Sequence, residues 1–132
     1  MRAMSRAYQQ AGITAADVAI IVLHATGTPG DLNELVLVDD FITERTLVTA
    51  RKGQLGHGMA NSGGWELTAL ALGLERGVAL PTGIDGTRLH PRVPRPAAIV
   101  TGEAALHGNV GVKLMLGIGG ITACVVLRGS QR

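Results

Sequence analysis

Apolar residues at Ala3, Met4, Ala7, Tyr8 and Ala11 recur at helical spacing, and Gly12 stops the run. Thr14 followed three residues later by Asp17 has the form of a short capping box. Val18 to Leu23 is an unbroken, largely β-branched apolar run, which predicts a strand buried on both faces. His24 sits at its C-terminal end, and a turn rich in glycine and threonine follows from Ala25 to Gly30. Asp31 as an N-cap, with Glu34 three residues on, predicts a helix through about Ile42. Arg45 to Ala50 reads as a second short strand. The stretch from Arg51 to Met59 reads as a loop that holds Lys52 and His57.

Asn61 or Ser62 is placed to cap a further helix. Leu67, Leu70, Ala71 and Leu74 give it an apolar stripe, and Gly77 ends it. Pro81 to Pro96 is a long loop of proline, glycine and arginine. Ala97 to Thr101, Val110 to Leu116 and Ile121 to Leu127 read as strands, the last two joined through Gly117 to Gly120. Strand–helix alternation that ends in a hairpin predicts an α/β fold, with helices packed on a mixed, five-stranded sheet. A length of 132 residues suits a single domain spanning residues 1–132.

Aromatic side chains make up only 2% of the chain, while 19 residues are glycine. The core must therefore be built from Leu, Val, Ile and Ala. The mean hydropathy of +0.29 is high for a small soluble domain, which predicts that one face is covered by a partner. The formal net charge is only +2 and no long Lys/Arg stripe occurs, so a nucleic-acid footprint is not expected. No signal peptide and no membrane-length apolar run is visible. The single cysteine, Cys124, rules out an internal disulfide and fits a cytoplasmic location. The four histidines show no pair at zinc-site spacing, so no metal site is expected.

Three segments carry candidate chemistry. The first is His24-Ala25-Thr26-Gly27-Thr28-Pro29, followed by Asp31 and Glu34. The second is Lys52, Gly56 and His57, with Glu66 on the following helix. The third is Leu116-Gly117-Ile118-Gly119-Gly120. In kind, order and interval these segments resemble the His-Gly-Thr-Gly-Thr-Pro motif, the Lys and Gly-His segment and the glycine-rich turn of β-ketoacyl synthases. The likeness runs from about Met1 to Leu127 and places the chain with the C-terminal half of that thiolase-like fold.

The resemblance implies a decarboxylative Claisen condensation of acyl and malonyl thioesters on acyl carrier protein, in fatty acid or polyketide biosynthesis. Such a reaction develops an enolate on a thioester oxygen, and two neutral imidazoles near that oxygen can donate hydrogen bonds where the charge appears. By the resemblance, His24 and His57 are those donors. Lys52 and Glu66 form a buried ion pair that orients them. Thr26 and Thr28 hold the amides of a pantetheine arm, and Gly117, Ile118, Gly119 and Gly120 line the substrate turn. For each of these residues an ordinary structural role stands as the alternative: a strand-end histidine, a surface lysine, turn threonines, a plain hairpin. No resident cofactor is implied, since the phosphopantetheine arm belongs to the carrier.

The family's nucleophilic cysteine lies in its N-terminal half, and Cys124 does not replace it. The expected arrangement is therefore a hetero-oligomer, in which this chain is the small subunit of a split ketosynthase and a second chain brings the cysteine. Ala25 stands where the family has glycine, Ile118 where it has a gating phenylalanine, and Leu114 and Thr122 where it has asparagines. One residue is also missing between Pro29 and Asp31. These departures suit a modified substrate gate or a related reaction, and the altered glycine-rich turn suits the alternative of a non-catalytic partner subunit, either stabilising or resembling a chain-length factor. A fragment, or a homodimer of half-domains, is a third possibility. Arg88, Arg92 and Arg95 read as a solvated loop, with docking of an acidic carrier as the other reading.

Overall fold

The computed structural model describes residues 1–130. The chain runs α1 (Arg2–Ala11), β1 (Ile20–Val22), α2 (Gly30–Val38), β2 (Leu47–Thr49), α3 (Lys52–Leu55), α4 (Ser62–Arg76), β3 (Val78–Ala79), β4 (Ala104–Ala105), β5 (Val110–Leu116) and β6 (Thr122–Arg128). The main sheet has the order β2-β1-β5-β6. β1 lies parallel to both β2 and β5, and β6 returns antiparallel to β5. It is a mixed sheet in an α/β chain, as the patterning predicts.

The sheet has four strands rather than five. The fifth expected strand, Ala97 to Thr101, survives as one parallel bridge between Val48 and Ile99 at the outer edge of β2. Arg95 adopts a positive φ of 48° and Pro96 opens a short 3₁₀ turn over Pro96–Ala98. That turn consumes the residues the strand needed. Only Val100 reaches the edge to donate to the Val48 carbonyl, at 2.9 Å. The two-residue strands β3 and β4 form a separate antiparallel pair that the patterning does not predict. α3 likewise occupies part of the expected loop.

The apolar run of β1 is buried on both faces. Ile21 joins Met4, Tyr8, Val38, Val48, Val112 and Leu114 on one side. Ile20 and Val22 meet Leu70, Leu74 and Val100 on the other. α1 contributes Met4 and Tyr8 from its apolar stripe and ends at Gly12, in the left-handed conformation foreseen for a stop. The Tyr8 ring meets Phe41 edge-to-face, with centroids 5.3 Å apart.

On the opposite face α4 lies against β5. Its inward positions Glu66, Leu70, Gly73 and Leu74 follow helical spacing and are all buried. β5 presents Gly111 and Lys113 on that side, because strand side chains alternate. A side-chain carbon at Gly111 would come within 2.7 Å of a Leu70 methyl, so the missing side chain is what lets α4 settle on the strand. One strand period further along, that close approach brings Glu66 onto Lys113.

A side-chain carbon at Gly73 would sit 2.7 Å from the Val78 carbonyl oxygen, a backbone atom with little freedom to move. Gly73→Ala gains about 1 kcal/mol of helix propensity yet forces a backbone shift costing about 1–3 kcal/mol. The expected outcome in urea denaturation is a lower midpoint for Gly73→Ala, opposite to the helix-propensity rule.

Candidate active site

The end of β1 is clamped from three sides. The His24 and Ala25 N–H groups donate to the two oxygens of Glu34 at 2.7 and 2.9 Å. The Thr26 and Gly27 N–H groups donate to the two oxygens of Asp31 at 3.0 and 2.9 Å. Four successive amides are thus gathered by two carboxylates from the start of α2. This corrects the expected capping box. Pro29 is the N-cap, and Asp31 and Glu34 point back at the preceding loop instead of the helix terminus. The loop can present its amides this way because Ala25 and Gly27 both have positive φ, 26° and 77°. For Ala25 that region carries steric strain that glycine avoids.

The carbonyls are held by cations. Lys113 Nζ donates to the Leu23 oxygen at 2.8 Å, and Lys52 Nζ donates to the His24 oxygen. Both ammonium groups then converge on Glu66. Lys52 Nζ lies 2.9 Å from Oε1 and Lys113 Nζ lies 2.8 Å from Oε2. Lys113 is fully buried at 0% exposure, and Glu66 is 1% exposed. The Lys52–Glu66 pair was expected from the sequence. The second lysine was missed, although a lone Lys in the otherwise apolar run of β5 was a visible signal. Burial, opposed by Glu66, pushes the Lys113 pKa down from its ordinary 10.5 to about 8. Burial also pushes the Glu34 carboxyl up, against the pull of the Ala25 and His24 amides.

The two histidines arrive from separate segments and meet. Their ring centroids are 5.8 Å apart, with the planes nearly perpendicular at 84°. The Met59 N–H donates to His57 Nδ1 at 3.1 Å. Lys52 Nζ, which can only donate, faces His24 Nδ1 at 3.4 Å. With each Nδ1 accepting, a neutral ring carries its proton on Nε2. Burial first, and then the charges of Lys52 and Lys113, hold the His24 pKa below its ordinary value. At neutral pH this imidazole is therefore uncharged and has an N–H to give.

His57, Lys52, Thr26 and Thr28 line an open cleft of about 870 Å³, with Arg88 and Arg92 also on its wall. The Thr26 and Thr28 hydroxyls lie 3.3 Å apart. Gly117, Ile118, Gly119 and Gly120 are not brought into this cleft. They form the β5–β6 hairpin turn, closed by the Gly117 N–H on the Ile121 carbonyl at 2.7 Å, and Ile118 is 90% exposed. Arg95 pairs with Asp39 at 2.6 Å and is thereby set apart from the other two arginines of its loop. Cys124 lies in β6, where burial pushes its thiol pKa up to about 11, the opposite of an activated nucleophile.

Residues 1–83 match the family described as β-ketoacyl synthase, C-terminal domain. The 3-oxoacyl-[acyl-carrier-protein] synthase 2 of Rhizobium meliloti is 28% identical over 131 residues, covering 96% of this chain and 30% of that protein. The enzyme of the same name from Staphylococcus aureus is 33% identical over 135 residues, covering 96% of this chain and 31% of that protein. The chain thus spans about a third of the length of these relatives. Among solved structures, a β-ketoacyl synthase from Burkholderia phymatum superposes with a TM-score of 0.87 at 23% identity, over 98% of this chain and 32% of that one. The ishigamide ketosynthase/chain length factor gives 0.85 at 24% identity, over 97% and 32%. At these identities the superpositions establish the fold, which is thiolase-like.

The buried Lys113 gives a pH signature. Below about pH 8 both folded and unfolded states hold its proton, and the folded state bears the full cost of the buried charge. Between about 8 and 10.5 the folded state has released the proton while the unfolded state keeps it, so this group makes stability rise with pH over that window. In parallel urea titrations, wild type should gain up to about 3 kcal/mol relative to Lys113→Met between pH 8 and 10.5. A constant difference between the two proteins would show that Lys113 does not titrate there.

Proposed function

Because this chain belongs to the β-ketoacyl synthase C-terminal domain family, we propose that it is the histidine-bearing half of a ketosynthase and that a second chain brings the cysteine-bearing N-terminal half. The observation that carries the reading is the pair of imidazoles meeting at 5.8 Å, each with Nδ1 already engaged. Two Nε2–H donors of this kind suit a developing oxyanion.

In this reading the partner's cysteine takes the acyl group from a carrier thioester. A malonyl thioester then loses CO₂, and the resulting enolate oxygen is held by His24 and His57. The enolate carbon attacks the acyl thioester, forming the carbon–carbon bond and breaking the acyl carbon–sulfur bond. Lys52 and Glu66 position His24. Thr26 and Thr28, on the cleft wall, receive the pantetheine arm of an acyl carrier protein. No resident cofactor is called for, because that arm arrives with the carrier. We place the assembly in the cytoplasm and the chain as one domain of it. Among the described residues no helix is long and apolar enough to cross a membrane.

In this reading a cysteine-bearing partner would cover apolar surface that this chain exposes. Trp65 and Leu72, 47% and 43% exposed, lie on the outward side of α4, and Val36 and Leu37 on that of α2. The two helices cover opposite faces of the sheet, so these side chains mark two separate candidate contact surfaces. One observation favours the alternative of a non-catalytic, chain-length-factor-like or stabilising subunit. The glycine-rich turn carries Ile118 out into solvent, away from the cleft.

The test is co-expression with the cysteine-bearing chain and a condensation assay using acyl and malonyl thioesters of acyl carrier protein. His24→Ala and His57→Ala should each lower kcat by about 10²–10³-fold, the usual cost of losing one oxyanion donor. Full activity in both variants would leave the non-catalytic reading. In analytical ultracentrifugation the chain expressed alone should self-associate, and a monodisperse monomer would count against the uncovered face.

A further inference from the structure

Lys113 is a second cation at this site. It sits on the α4 face of β5 with no exposed surface. Two residues earlier on the same strand face, Gly111 packs against Leu70 and Leu74, and a methionine or leucine at position 113 would avoid the cost of desolvating a charge. Buried ion pairs are often no more stabilising than apolar replacements, so packing alone does not call for a lysine. Its two contacts show what it does instead. One is the Leu23 carbonyl at 2.8 Å, the peptide group immediately before His24. The other is Glu66 Oε2 at 2.8 Å, on the carboxylate that also holds Lys52. Lys52 in turn faces His24 Nδ1 and grips the His24 carbonyl.

We propose that Lys113 is a positioning residue for His24. Through the Leu23 carbonyl and Glu66 it fixes the strand end from which the imidazole projects, and its charge adds to burial and Lys52 in favouring the neutral, proton-donating ring. The inference rests on the ketosynthase reading only for the use to which the neutral imidazole is put.

The charged groups around Lys113 come from every neighbouring element. Glu66 is on α4, Lys52 on α3, Glu34 on α2 and His24 at the end of β1. On the remaining side β6 offers Val125 opposite Lys113, which carries no charge. The two lysines and two glutamates balance. Removing Lys113 leaves Glu66 with Lys52 and the neighbouring Arg51, and both the lost cation and the partly freed carboxylate favour protonation of His24.

The experiment is an NMR titration of the His24 ring nitrogens in the full chain, wild type and Lys113→Met, with circular dichroism to confirm folding. The His24 midpoint should move upward in Lys113→Met, and the His24 and Ala25 amides should lose protection from hydrogen exchange. Wild type alone provides a second reading. Past their own titration, the His24 ring signals should show another inflection near pH 8, where Lys113 releases its proton. An unmoved midpoint in a folded Lys113→Met, or no inflection in wild type, would overturn the assignment.

In the assembled enzyme, condensation at neutral pH by Lys113→Met should fall about tenfold or more, as misplacement of a reacting group does. The ring titration requires no catalysis. A wild-type complex that is inactive while the inflection persists would therefore count against the ketosynthase reading and not against the coupling of Lys113 to His24.

Discussion

Glu66 accepts from two buried ammonium groups at once, and the geometry at the end of β1 follows from that shared carboxylate. Lys52 and Lys113 come from different elements, and each spends a further proton on a backbone carbonyl, of His24 and Leu23 respectively. Glu34 then takes the amides of His24 and Ala25 from the other side. The peptide groups around His24 are thus bonded to charged partners on both donor and acceptor sides. Loss of one member of such a cluster typically costs about 3–5 kcal/mol, because an uncompensated charge stays behind. Because apolar replacement of a whole buried ion cluster is often neutral, the cluster serves as a rigid mount rather than a source of net stability.

The mount exists because a helix can come close. Gly111 removes a side chain that would strike Leu70, and Gly73 removes one that would strike the Val78 carbonyl. With these two gaps α4 lies on β5 at a distance where Glu66, one helical turn before Leu70, reaches Lys113 and Lys52. Both face the end of the sheet where parallel β1 and β5 finish, the side on which α/β sheets usually bind their ligands. Packing in the core and chemistry at the rim are thus set by the same helix–strand contact.

The same cluster sets the electrostatics. Burial is the first influence against a charge on the His24 ring, and the two nearby cations act in the same sense. His57 is oriented by a different device, a backbone amide from Met59. The two rings therefore present equivalent donor nitrogens although their supports are unlike. Cys124 shows the contrast. Burial pushes its pKa upward, and it remains a packing residue of β6.

Sequence alone fixed whatever depends on a single element and its own periodicity. α1 with its Gly12 stop, the doubly buried β1 and the β5–β6 hairpin could all be read from patterning, whereas the grouping of His24, Lys52, His57 and Glu66 was legible only through the family resemblance. Tertiary structure decided what depends on how elements approach each other. The Ala97 to Thr101 run has strand composition but loses its pairing to the turn at Pro96. Asp31 and Glu34 have capping spacing, yet they bond the preceding loop because that loop folds within their reach. Lys113 reads as an interruption in an apolar strand until α4 sets Glu66 against it. Periodicity records which face of an element is buried, whereas the partner met on that face is chosen by the register and distance between elements far apart in the chain.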